Sequence, residues 1–447
     1  MLITNAQLIT GEPIAVRTEG EFIHQVHRHL DAEAGEEVID ARGGTVIPGL
    51  HDHHVHLRAA VAADQSVSVG PTQVVDRDGL ARVLAAARPR ADGWIRAVGY
   101  HDSVAGDLDR DRLDALVPTV PLRIQHRSGA MWFVNSVGLA VLGRPDHPTG
   151  RLFREDAGIA KSTKSADIDF GPISRRLTGY GVTGVTEATP DLTAADVDSF
   201  GAAMREGVLR QRVLMLSQPS GSPAAALGFG PVKRILDDDT LDLDALSQWI
   251  DDAHVAGRAV ALHCVTVVQL VVAVTSLRSV GVTAGDRIEH AAMVPDEMIS
   301  DLVELGLTVV TQPNFVAERG DQYLLDISVD DLPMLWRVRS LQRAGVAVAG
   351  GTDAPFGDLD PWACMRAARD RLSAAGIEVS PSERVSARTA LDLFLGEPLS
   401  PAEPRTVVAG SRADLCLLSA PPAVVLAELT ADLVDATMIG GRIYPRG

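Results

Sequence analysis

Eight short apolar segments, most of them separated by one helix-length stretch, run through the middle of this 447-residue chain and restrict the folds open to it. The expected strands are Thr45–Leu50, Val182–Glu187, Arg212–Leu216, Val232–Leu236, Ala259–His263, Arg287–His290, Thr308–Thr311 and Ala347–Gly351. Thr186 and Leu216 are 30 residues apart, as are Lys233 and His263, and His263 to His290 is 27; each is the length of one strand–helix unit. Strands that alternate with helices lie parallel in a sheet. Eight is the number that a closed (β/α)8 barrel needs. The fold class expected is therefore α/β, a TIM-type barrel.

Two intervals depart from the rhythm. His56 and Glu187 are 131 residues apart, so an insertion at about 60–180 follows the first strand. It carries elements of its own: a helical pattern over Leu80–Ala87, a strand at Trp94–Val98 and an apolar run at Pro121–Ile124. Leu216 and Lys233 are only 17 apart, and Gly221–Gly230 has no helical character, so the third crossover reads as irregular. The two ends differ from the middle. Met1–Leu8, Ile14–Arg17, Val38–Ala41, Asp414–Leu418, Ala436–Ile439 and Arg442–Tyr444 read as short strands with turns between them. The plan expected is a small β-sandwich domain built from both termini, residues 1–45 and 401–447, around a barrel over 46–400. No internal repeat is visible.

Composition removes several functions. Lys plus Arg is 41 and Asp plus Glu is 59, a formal net charge of −18. Nucleic acid needs a basic face, and so does an anionic membrane surface, so neither is an expected partner. Cys264, Cys364 and Cys416 are too few and too widely spaced for a disulfide framework, which points to a reducing, cytoplasmic setting. The N-terminus has no basic region ahead of a long apolar run, so no signal peptide is expected. The densest apolar stretch, Val265–Val274, is interrupted by Thr266 and Gln269 and is too short to span a bilayer. Aromatic residues make up 4% of the chain, which favours a small-molecule substrate over a polymer.

The chemistry is concentrated at strand ends. Pro48-Gly49-Leu50-His51-Asp52-His53-His54-Val55-His56 places imidazoles two residues apart, and residues i and i+2 of a strand point the same way. His54 and His56 make such a pair; so do His51 and His53, and parity does not choose between them. His263 ends Ala259–Leu262, His290 ends Arg287–Glu289, Asp353 follows Ala349–Thr352 and Lys233 follows Gly230–Val232. In a barrel these tips converge on one mouth, where the active sites of that fold lie. Imidazole and carboxylate are ligands that catalytic zinc takes. A histidine inside an apolar strand is otherwise costly to bury.

These motifs resemble the amidohydrolase superfamily. PGLHDHHVH is similar to its first-strand signature PG-x-x-D-x-H-x-H, and ALHCV, RIEHA and GGTDAPFG match its later strands. Gly93-Trp94-Ile95, Pro118 to Pro121, His126-Arg127-Ser128-Gly129 and Asn135-Ser136 look like the YtcJ-like group, which includes N-substituted formamide deformylases. The resemblance covers nearly the whole chain and selects the register. It implies His54, His56, His263, His290 and Asp353 as metal ligands, with Asp52 structural. It also implies two Zn²⁺ bridged by a carbamate formed from Lys233 and CO₂. An unmodified ammonium beside two dications would be repelled. Glu187, at the end of Gly184–Thr186, is the alternative bridging ligand.

The activity implied is hydrolysis of a carbon–nitrogen bond, of amide or formamide type and not a peptide bond, in a small molecule. Hydroxide activated on the metals attacks the carbonyl, and Asp353 acts as general base and then acid. His126, Arg127, Trp132 and Asn135 in the insertion, and Gln312, Asn314 and Arg319 after the seventh strand, are candidates to border the substrate, with Phe315 and Phe356 as apolar walls. Cys264 lacks a paired base and reads as a packed thiol. Two other readings stand beside this one. A deaminase of the same fold would hold a single metal and lack the bridging lysine. A non-catalytic barrel scaffold would have lost ligands. Dimers are common among barrels of this group, so a homodimer is the assembly to look for.

Overall fold

A computed structural model describes residues 1–155, 158–159, 168–217 and 227–446. The chain divides into two compact units, one made of 1–56 with 171–447 and the other of 57–170. Most of the expected third crossover, residues 218–226, lies outside the described residues.

Within the first unit, eight parallel strands are labelled here in chain order: β1 Leu50–Val55, β2 Val182–Glu187, β3 Arg212–Met215, β4 Val232–Ile235, β5 Val260–Cys264, β6 Arg287–His290, β7 Thr308–Thr311 and β8 Ala347–Gly350. They form two sheets, one ordered Leu227–Phe229, β3, β2, β1 and the other β4 through β8. Backbone hydrogen bonds also cross between the sheets. Lys233 N donates to Leu216 O at 2.8 Å on one side, and Asp353 N donates to His54 O at 2.8 Å on the other. The architecture is α/β. All six residues of β1, of β2 and all four of β6 are buried, as parallel strands covered on both faces must be.

The helices between strands start where the sequence offers caps. Thr193 and Asp196 form a reciprocal capping box for Ala194–Arg205, Thr266 and Gln269 do the same for Val267–Val280, and Asp242 caps Leu243–Val255. Gly281, at φ +97°, then ends Val267–Val280 in a conformation that favours glycine. Each of these caps fixes where the preceding loop must end; the one at Thr266 lies three residues after His263.

The first strand corrects the sequence reading. Thr45–Pro48 is a strand, but it pairs with Leu2–Leu8 and Leu415–Leu418 in the terminal sheet. The chain then enters β1 at Leu50, because Gly49 breaks the run. The terminal sheet has eight strands from both chain ends, in the order 442–445, 434–439, 415–418, 45–48, 2–8, 13–19 and 22–27, with 38–40 beside 2–8. Its buried face carries Ile3, Val16, Ile23, Val46, Leu415, Leu417 and Met438. Phe22–His27 was hidden in a polar stretch of sequence; it is an edge strand with only Ile23 fully buried.

The second unit has its own sheet, ordered Arg151–Phe153, Met131–Val134, Leu122–His126, Ile95–Tyr100 and Val67–Ser68. Leu80, Leu84, Ile95, Tyr100, Leu113, Ile124 and Phe133 fill its core. No helix among the described residues is long and apolar enough to cross a membrane.

Candidate metal centre

The C-terminal ends of β1, β5, β6 and β8 bring five of the expected ligands together in the first unit, with Lys233 of β4 beside them. His54 Nε2 lies 3.6 Å and His56 Nε2 3.4 Å from Asp353 Oδ1. One ligand atom from each of these three residues lies within 4.8 Å of the others. Lys233 Nζ is 3.1 Å from His54 Nε2. The ring of His290 is 4.6 Å from that of His54 and 4.4 Å from that of His263, centroid to centroid. Of the two pairs that parity left open, His54 and His56 are the one beside Asp353. His51 and His53 stack on each other, 4.6 Å apart, and His51 Nε2 bonds Thr186 Oγ1.

Three of the imidazoles are held from behind. His54 Nδ1 contacts Glu289 Oε2, an acceptor with no proton to give when ionised, which assigns the ring proton to Nδ1. His56 Nδ1 lies 2.9 Å from Thr189 Oγ1, whose own proton goes to Glu187 Oε1 at 2.6 Å. His290 Nδ1 lies 2.8 Å from Gln312 Oε1. In each case the ring proton goes to Nδ1 and Nε2 carries the lone pair, the form a metal binds; on His54 that lone pair faces Lys233 Nζ. Burial first, and then the neighbouring Lys233, pushes the His54 imidazole well below its ordinary pKa. Burial also pushes His290 down to about 4, against the pull of Asp353. Both rings are therefore neutral near pH 7, as ligands must be.

The donor set fits a divalent cation. Asp353 Oδ1 is buried and, among the described residues, has no hydrogen-bond partner, an expensive state that a cation would relieve. Burial works to raise the Asp353 carboxyl, but contact with His56 and the charges of His290 and Lys233 hold it below the usual range. Burial lowers Lys233. Two of the expected ligands also have strained backbone: His290 has φ +69° and Asp353 φ +54°, in the left-handed region. Such residues cost of order 1–3 kcal/mol each and cluster at functional sites.

Asp52 is built into the frame. Its Oδ1 accepts His54 N at 3.1 Å and Thr352 N at 3.0 Å, and Oδ2 accepts the Thr352 hydroxyl at 2.5 Å. It thus ties β1 to the loop after β8. Close approach there requires glycine: a Cβ on Gly351 would lie 2.5 Å from the Cβ of His54.

The other candidates have different fates. Gln312 is fully buried and spends its oxygen on His290, so it orients a ligand. Arg319 stacks on Phe315 at 3.9 Å and donates to Phe356 O at 2.8 Å, bracing the loop that follows Asp353. Phe356 itself sits edge-on to His56, 5.4 Å away. Asn314 donates to Thr352 O and to Glu318. Glu187 lies behind His56, 4.0 Å from Nδ1. Cys264 is buried, and burial pushes its thiol up. His126 and Arg127 lie in the second unit at the end of Leu122–His126, where His126 Nδ1 meets Ser128 Oγ at 2.8 Å.

Asn135 is a correction. It is fully buried in the second unit and its amide is saturated: Oδ1 accepts from Leu122 N and Gly138 N, and Nδ2 donates to Val117 O and Val120 O. No polar atom of it remains for a substrate. Trp132 is buried there too, with Arg96 and Arg123 packed over its ring. Sequence reasoning also missed Glu289, Arg287 and Thr189. An Arg-x-Glu pair directly before the expected ligand His290 was the available signal.

A profile described as the amidohydrolase family matches residues 37–445. The chain belongs to that family. Among curated members it is 25% identical to an N-substituted formamide deformylase of Arthrobacter pascens over 496 aligned positions, covering 93% of this chain and 90% of the relative. It is 22% identical to the putative amidohydrolase YtcJ of Bacillus subtilis (strain 168), covering 91% of this chain and 90% of that one. Among solved structures, an uncharacterized metal-dependent hydrolase from Pyrococcus horikoshii OT3 superposes with a TM-score of 0.76 at 17% identity, over 95% of this chain and 98% of that chain. That likeness is one of fold, and the family members differ in what they hydrolyse.

Proposed function

We propose that this amidohydrolase cleaves a carbon–nitrogen bond of amide or formamide type in a small molecule, using divalent metal held by His54, His56, His263, His290 and Asp353. The observation that carries the reading is the meeting of His54, His56 and Asp353 within 4.8 Å. The Nδ1 atoms of both histidines are engaged elsewhere. The eight parallel strands close into one barrel in this reading, supported by the hydrogen bonds that cross between the two sheets. Lys233, buried beside His54 Nε2, is the residue that would take up CO₂ as a carbamate and so offer an anionic ligand to two zinc ions per chain. Its position on the ligand side of His54 favours it over Glu187, which lies behind His56.

Bound metal supplies a water of lowered pKa and polarises the substrate carbonyl. The chain's own residues do the rest. Water adds across the bond: its oxygen joins the carbonyl carbon, the C–N bond breaks, and an acid and an amine leave. Asp353 turns Oδ1 towards the histidines, which leaves Oδ2 to take the proton from water and return it to the departing nitrogen. The Asp353 carboxyl is held below its usual range, so it starts ionised and able to accept. Gln312 and Thr189 keep the rings aimed through the cycle. The name of the Arthrobacter relative makes N-substituted formamides the first compounds to test.

The test is a screen of N-formyl and N-acyl amines against zinc-loaded protein, followed by Asp353→Asn. The variant is expected to keep its zinc and to lose roughly 10²-fold or more of turnover, the scale of general acid–base work. Wild-type turnover in Asp353→Asn, or purified protein that takes up no zinc, would remove the reading. Intact mass should carry an added carboxylate on Lys233; a bare lysine would return the bridge to Glu187.

A further inference from the structure

Arg287 and Glu289 are two residues apart on β6, so both side chains leave the strand on the same side. Both are buried, Glu289 completely. Arg287 Nε donates to Glu289 Oε1 at 2.5 Å, and the same guanidinium reaches His53 O on β1 at 3.5 Å. The second carboxylate oxygen, Oε2, contacts His54 Nδ1, 235 residues earlier in the chain. The neighbouring rings have neutral acceptors, a threonine hydroxyl for His56 and an amide for His290. His54 alone of these three has an acidic one.

We propose that Glu289, fixed by Arg287, is a positioning residue that keeps the His54 proton on Nδ1 and so presents Nε2 to the metal as a lone pair. This rests on the metal-site reading above. Two consequences follow from the chemistry. Only one tautomer of His54 can satisfy the carboxylate, because a protonated Nε2 would leave Nδ1 and Oε2 as two acceptors in contact. A charge-assisted bond from behind also makes the imidazole a more basic ligand.

The experiment compares wild type with Glu289→Gln as full-length, metal-stripped proteins. Zinc is titrated into each in competition with a chromophoric chelator, and the melting temperature of the metal-free form is recorded. The expected result is zinc affinity lowered about 10–100-fold with little change in metal-free melting. Unchanged affinity overturns the proposal. If melting falls as well, the double variant Arg287→Met/Glu289→Gln, which leaves no unpaired buried charge, decides the matter. Weak zinc binding in it supports positioning, and wild-type affinity in it overturns positioning. Wild-type protein that binds no zinc ends the functional reading itself, whereas equal affinity in the two proteins ends only this inference.

Discussion

Replacing Gly351 by alanine tests how rigidly the metal centre is framed. An ideal Cβ at this position lies 2.5 Å from His54 Cβ, 2.7 Å from His54 N and 3.0 Å from His54 Cα. Ordinary contact begins at 3.4 Å, so the strands must separate by about 0.9 Å. No side-chain rotation relieves the clash, because the obstructing atoms belong to the backbone and Cβ of β1. Nor can the segments drift apart freely: Gly351 N bonds Thr311 O, and two residues on Asp353 N bonds His54 O at 2.8 Å. Overpacking of this kind costs about 1–3 kcal/mol. The displaced residue is itself a proposed ligand, 3.6 Å from Asp353. A misplacement of about 1 Å at a catalytic site costs on the order of 10²-fold in rate. Gly351→Ala is therefore expected to melt earlier, to bind zinc more weakly and to lose roughly two orders of magnitude in kcat/KM on any compound the wild type turns over. A variant with wild-type melting and wild-type zinc affinity would mean that β1 yields cheaply, and the rigid-frame reasoning would be wrong.

Two further outcomes are expected. Asn135→Ala removes a helix cap worth about 0.5–2 kcal/mol and strips the Val117 carbonyl and Leu122 N–H of their partner, at about 1–3 kcal/mol each. Residues 57–170 should then melt earlier and be cut faster by protease; unaltered melting would contradict the saturated network. Glu36 is held down to about 2 by its hydrogen bond from Arg17, against an ordinary value of 4.5. A depressed carboxyl contributes stability that is complete above about pH 4.5 and lost as pH falls towards 2. The melting difference between wild type and Glu36→Gln should therefore be constant at neutral pH and shrink below pH 4.5; a difference that grows on acidification would refute the assignment.

Most of the parallel strands could be located from sequence because strands buried on both faces are continuous apolar runs. The exception is instructive. Thr45–Pro48 is an apolar run whereas β1 carries three histidines and an aspartate, and only the pairing of Thr45–Pro48 with Leu415–Leu418, some 370 residues on, assigns it to the terminal sheet. Phe22–His27 escaped notice because an edge strand needs few buried residues. Asn135 resembled a binding residue in sequence, yet its four bonds all go to backbone groups, which no local pattern reveals.

The sequence by itself determined the alternation of strand and helix, the residue types at the strand tips and, through its motifs, the family. It also supplied the caps that start Ala194–Arg205, Leu243–Val255 and Val267–Val280, since a cap acts within three or four residues. Tertiary structure alone decided which nitrogen of His54, His56 and His290 carries the proton. Glu289 reaches His54, Thr189 reaches His56 and Gln312 reaches His290, over separations of 235, 133 and 22 residues. A ring proton goes to whichever side meets an acceptor, and that acceptor becomes a neighbour only when the strands come together.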